Sequence, residues 1–171
     1  MSVPDWLKAL GIPEECITQD SSASEKKRSF SIRPRQGDQI WRVHVDDCRV
    51  QDNDEKRVDY LFWGESATGR KVVILVELKG KQFGKALEQV EAMLERLCKK
   101  ADGKGIHNGQ HHPGLKHNQH NRGGVRVYVV LSKGENVVQR QAALARIQQK
   151  YGVVVQHKSV RIEVDGLDNL P

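Results

Sequence analysis

The run RVDYLFW, residues 57–63, places Val58, Tyr60 and Phe62 on one parity and Arg57, Asp59, Leu61 and Trp63 on the other. That two-residue period predicts a strand. KVVILVELK, residues 71–79, is an almost unbroken aliphatic run and predicts a buried strand. The turn-rich GESATGR between them predicts an antiparallel hairpin. Before it, Pro34 and Gly37 mark turns, and IWRVHVDDC, residues 40–48, alternates as a first strand. FGKALEQVEAMLERLCK, residues 83–99, is apolar at 83, 86/87, 90, 93/94 and 97, the clearest helical period in the chain. VRVYVVL (125–131) reads as a strand. SKGE (132–135) resembles a capping box opening a helix that runs to Tyr151 and stops at Gly152. VVVQH (153–157) and VRIEV (160–164) read as closing strands. Three strands, helix, strand, helix and two strands predict an α/β class protein, a central mixed β-sheet flanked by helices.

The remaining stretches are polar. Residues 4–10 predict one or two helical turns, and TQDSSASEKKRS (18–29) a surface segment with helical character at one end. Residues 1–38 thus read as a helical and polar N-terminal segment of a single domain spanning 1–171. Residues 101–124 hold five histidines, His107, His111, His112, His117 and His120, among Gly, Asn and Gln. A transition-metal site or a His-Asn nuclease motif are both readings of them. Glycine and asparagine with little apolar residue to pack favour a flexible loop, to which Lys104, Lys116 and Arg122 lend some phosphate affinity.

Composition narrows the class. Lys and Arg outnumber Asp and Glu by 28 to 22, for a net charge of +6. This excess suits a polyanionic partner and is weak evidence alone. Cys16, Cys48 and Cys98 are scattered and odd in number, so they read as reduced thiols of an intracellular protein. No apolar run approaches the ~20 residues of a membrane span, and MSVPDWLKAL lacks the pattern of a signal peptide. A cytoplasmic protein is expected, with no membrane partner. Trp6, Trp41 and Trp63 read as core or half-core, because no basic stripe interleaves with aromatic residues.

Chemistry concentrates at the end of the aliphatic run. Glu77 and Lys79 share one strand face, and an unpaired buried carboxylate costs several kcal/mol. A hairpin centred near Ala67 would set Glu77 opposite residue 57 and Leu75 opposite Asp59. Asp59 and Glu77 are then diagonal neighbours, roughly 7–8 Å apart. Two such carboxylates suit Mg²⁺ or Mn²⁺, leaving coordination positions for water and phosphate. Lys79 would orient water and offset charge on the phosphorane. The acid-x-Lys triplet alone carries little: Glu25/Lys27, Asp54/Lys56 and Asp102/Lys104 match it too. Only Glu77/Lys79 ends an apolar strand, follows a strand with an aspartate, and precedes an amphipathic helix. An edge-strand salt bridge is the plain alternative, and it leaves Asp59 unexplained.

Asp59 followed by Glu77-Leu78-Lys79 resembles the PD-(D/E)xK nuclease superfamily. The run from Asp47-Cys48 through KRVDYLF and VELKG to KALEQ is similar to its small stand-alone bacterial members. Val58 stands where the superfamily's signature has proline. The resemblance implies a restriction-endonuclease-like fold and a Mg²⁺- or Mn²⁺-dependent nuclease, a hydrolase of phosphodiester bonds. It implies Asp59, Glu77 and the Leu78 carbonyl as metal ligands, with Lys79 positioning the attacking water. Gln89 falls at the place of a helical site glutamine, though it also reads as a solvated helix residue. Glu25 is the one candidate for a further acid. Lys81 and Lys85 would contact backbone phosphates. The partner implied is nucleic acid, DNA ahead of RNA, and a homodimer is an option because one site cuts one strand. A non-catalytic nucleic-acid-binding or interaction protein keeping the fold is the competing class.

Overall fold

A computed structural model of the chain describes residues 12–48, 56–80, 82–99, 124–132 and 140–170. The expected turns at 4–10, Trp6, Lys81 and the histidine-rich segment lie outside them.

Nine strands and two long helices are described. The strands are β1 (Ile17–Thr18), β2 (Ser22–Glu25), β3 (Arg28–Arg33), β4 (Gln39–His44), β5 (Tyr60–Glu65), β6 (Lys71–Glu77), β7 (Gly124–Leu131), β8 (Val155–Ser159) and β9 (Arg161–Asp165). The helices are α1 (Phe83–Lys99) and α2 (Gln141–Tyr151), with a short 3₁₀ turn at Glu14–Cys16. Six strands form one mixed sheet in the order β1-β4-β5-β6-β7-β8, and three form a second, β2-β3-β9. The α/β class and the mixed sheet follow the sequence reading.

β6 is central and aliphatic because it is buried on both faces. Val73 and Leu75 point to one face, where Phe83, Leu87, Val90 and Leu94 of α1 and Ile147 of α2 complete a core. Val72, Ile74 and Val76 point to the other, against Phe30 and Ile32 of β3 and Ile162 of β9. The described helices cover one face of the large sheet, and the small sheet covers the other. Gly64 on β5 permits the close fit on that second face, since a Cβ there would lie 2.6 Å from Leu167 Cδ1. At the end of α2, Gly152 takes the left-handed conformation (φ 67°) and closes the helix as expected. The helix starts at Gln141 with no side-chain cap at Arg140; Lys133 to Glu135 of the expected capping box lie outside the described residues.

Two expectations are overturned. The surface segment 18–29 is not helical at either end: Thr18 ends β1, and β2 forms an antiparallel hairpin with β3, which runs on to Arg33. The hairpin's burial is carried by alternate residues, Ala23, Phe30 and Ile32, interleaved with serines and charges that conceal the period. Cys16 and Cys48 are not reduced thiols but a disulfide, with Cα atoms 5.9 Å apart. Pairing of Ile17 with Val43 sets Cys16 beside the turn after β4, where Cys48 N donates to His44 O. Among the described residues no helix is long and apolar enough to cross a membrane.

Candidate active site

The β5–β6 hairpin sets the first part of the site. Tyr60 pairs with Val76 and Leu61 with Leu75. The next position on each strand places Asp59 directly across from Glu77, not diagonal to it as the expected register required. The turn decides this: Ser66 N donates to Arg70 O and Gly69 N to Ser66 O, with Gly69 at φ 80°. A tight turn centred one residue later shifts every pair across the ladder.

The two acids are interlocked through main-chain amides. Asp59 N donates to Glu77 Oε2 at 3.0 Å. Leu78 N donates to Asp59 Oδ2 at 2.6 Å. Lys79 Nζ lies 3.1 Å from Glu77 Oε1, its own side chain 27% exposed while that of Glu77 is wholly buried. Val45 N donates to Asp59 O, tying the turn after β4 to the same point. Glu77 is thus held between an amide and an ammonium, which answers why a buried strand ends in an acid.

Burial, and next the Asp59 charge, push the Glu77 carboxyl up to about 8; Lys79 opposes this. Burial also raises Asp59, offset by the Leu78 amide and Lys79. Two carboxyls face each other in a partly desolvated space, and a divalent cation would relieve the repulsion between their ionised forms. Asp59 and Glu77 supply hard oxygen donors of the kind Mg²⁺ and Mn²⁺ take. No group of three or more His, Cys, Asp or Glu placed to hold a metal occurs among the described residues. Two carboxylates would leave the remaining positions of such an ion to water or phosphate oxygens.

Gln89, on α1, reaches the site indirectly. Its Nε2 donates to the carbonyl of Arg57, in the segment that leads into Asp59. Its Oε1 is buried without a hydrogen-bond partner among the described residues. Gln89 thus braces the aspartate arm against the helix. Lys85 is exposed on the first turns of α1. Trp41 and Trp63 pack together with ring centres 4.5 Å apart, in keeping with a structural role.

Two neighbours, Arg28 and His44, were not assigned to the site from sequence, and a third, Glu25, was weighed there. Arg28, at the start of β3, donates from Nη1 to Ser132 Oγ at 3.3 Å, beside Gly80. Glu25, weighed only as a further acid, ends β2 near enough for its charge to raise Asp59. His44 stacks on Tyr60 with ring centres 4.4 Å apart and its Nδ1 lies 2.8 Å from Asp47 Oδ2. For Arg28 the only sequence signal was the spacing of Ala23, Phe30 and Ile32, which serines and charges conceal; His44 lay on a strand read from sequence, with nothing local to tie it to the site. Compared with family models, curated proteins and solved structures, the chain matches none of them.

Proposed function

We propose that this protein is a metal-dependent phosphodiesterase acting on nucleic acid, DNA ahead of RNA, with a restriction-endonuclease-like fold. The observation that carries the reading is the clasp of Asp59 and Glu77 with Lys79 against it at the carboxyl end of β6. In this reading Asp59 and Glu77 hold Mg²⁺ or Mn²⁺, with the Leu78 carbonyl as a further oxygen donor. The bound cation would neutralise phosphate charge and acidify water. Lys79 holds the attacking water by hydrogen bonding and stabilises the charge that grows on the phosphate. Glu77 is kept in register by the Asp59 amide, and Asp59 by the Leu78 amide, so neither needs to reorganise. Gln89 acts as a positioning residue through the Arg57 carbonyl.

A second reading, a nucleic-acid-binding protein without hydrolysis, is favoured by Glu77 itself. An acid raised to about 8 is mostly protonated at neutral pH until a cation displaces the proton. Incubation of labelled single-stranded, duplex and branched DNA and of RNA with Mg²⁺, Mn²⁺ or EDTA separates the two. Cutting that needs the metal and falls by roughly 10²-fold or more in Lys79→Ala supports the enzyme. Retardation of a nucleic acid on a gel, with no cutting in any metal, supports the binding protein.

A further inference from the structure

We infer that the tip of the β2–β3 hairpin is a contact surface for the phosphate backbone of nucleic acid lying across the Asp59–Glu77 site. Glu25 pairs with Arg28, so Lys26 and Lys27 are the two residues of the loop. Both are exposed, and Lys26 keeps 78% of its side chain in solvent. Lys26 Nζ lies 3.8 Å from Glu25 Oε1, an exposed pair that leaves the ammonium open to solvent. Two successive lysines in an exposed loop suit phosphate oxygens, with no demand on base identity.

The tip is held at the site by Arg28. Its side chain is only 10% exposed and lies 3.9 Å from Glu25. Its Nη1 bonds Ser132 at the end of β7, and a Cβ on Gly80 would sit 3.3 Å from that nitrogen. Gly80 directly follows Lys79, so the hairpin rests on the carboxyl ends of β6 and β7, where the acids are. Lys85, on the first turns of α1, adds a cation at this end of the sheet.

The backbone of Lys26 supplies a second argument. Its φ is 53°, a left-handed conformation that glycine adopts without cost and a lysine does not. Two-residue hairpin loops ordinarily place Gly, Asn or Asp where φ is positive. Strain of this sort collects where a side chain has a task. Here the retained side chain is a solvent-facing cation, and the hairpin itself would be better served by glycine.

The surface rests on the phosphodiesterase reading only for the identity of the site it borders, and binding in EDTA tests it without turnover. Fluorescence anisotropy with a short labelled DNA, duplex and single-stranded, compares wild type, Lys26→Gly/Lys27→Ser and a charge-matched control, Arg33→Ser/Lys71→Ser. Arg33 and Lys71 lie at the opposite ends of β3 and β6. The expected result is a loss of about tenfold in affinity in the hairpin variant, with the log–log salt slope shallower by about 1 per lysine. Its urea midpoint should equal or exceed that of wild type, because glycine relieves Lys26. An unchanged affinity overturns the proposal, as does an equal loss in the control or a wild type that binds neither DNA. If the hairpin variant alone loses affinity but no metal supports cutting, the surface stands and the phosphodiesterase reading falls.

Discussion

Asp59 and Glu77 hold each other in place through the main chain: the Asp59 amide binds Glu77 Oε2, and the amide following Glu77 binds Asp59 Oδ2. Each carboxylate is therefore fixed by the strand that carries the other. Such an arrangement survives only in one register of the β5–β6 ladder, since a slip by one residue would turn one acid to the opposite face.

Glu77 makes stability depend on pH. Its carboxyl is raised from 4.5 to about 8. The folded protein keeps this proton after the unfolded chain has released it, so the contribution of Glu77 to stability is full below 4.5 and is lost as pH rises through about 8. Glu77→Gln removes the titration. Unfolding free energies from urea titrations at acid, neutral and mildly alkaline pH should lose this contribution in wild type, on the order of a few kcal/mol in all. The variant should change far less over the same window. Equal pH slopes in the two proteins would mean that native Glu77 is already ionised at neutral pH.

Cation binding at this site should release a proton. A carboxylate must be deprotonated to ligate, so Mn²⁺ affinity is expected to rise by up to about tenfold per pH unit on approaching pH 8 and then level off. Titration calorimetry in two buffers of different ionisation enthalpy measures the protons directly. Affinity independent of pH, with no proton released, would contradict the raised carboxyl.

Gln89→Leu should loosen the aspartate arm. Losing its bond to the Arg57 carbonyl is expected to cost about 1–2 kcal/mol in urea unfolding. In an active enzyme kcat should fall by roughly tenfold with KM little changed, because only positioning is lost. A solvated Gln89 would leave both measurements at wild-type values, and Gln89→Glu would then behave the same way.

The Cys16–Cys48 disulfide closes a loop with a sequence separation of 32. The loop-entropy estimate gives roughly 3–4 kcal/mol of stabilisation, to be lost in Cys16→Ser/Cys48→Ser. Alkylation of the denatured, non-reduced protein should modify one of the three cysteines, and all three after reduction. Labelling of all three without reductant would restore the free-thiol reading.

The sequence by itself determined the elements whose residues point one way only. Continuous aliphatic runs at 71–77 and 125–131 admit few states other than buried strands, and the apolar stripe of 83–99 fits one helix face. The association of Glu77 with Lys79 was legible for the same reason, because spacing two on a strand is local geometry. Asp59 was recognised as a partner, but its position opposite Glu77 was not, since a turn of Ser, Ala, Thr and Gly supports several registers.

Only the tertiary structure decided the rest. The serine- and charge-rich hairpin at 22–33 has too few apolar residues to declare itself; it is a strand pair because the second face of β5, β6 and β7 needs covering. The same docking sets Arg28 beside Gly80 and Ser132 and brings Glu25 within electrostatic range of Asp59. The disulfide likewise depends on β1 pairing with β4, which joins cysteines that no spacing rule connects. Local pattern is set by neighbours a few residues away, whereas these contacts are chosen by whichever surfaces remain to be buried.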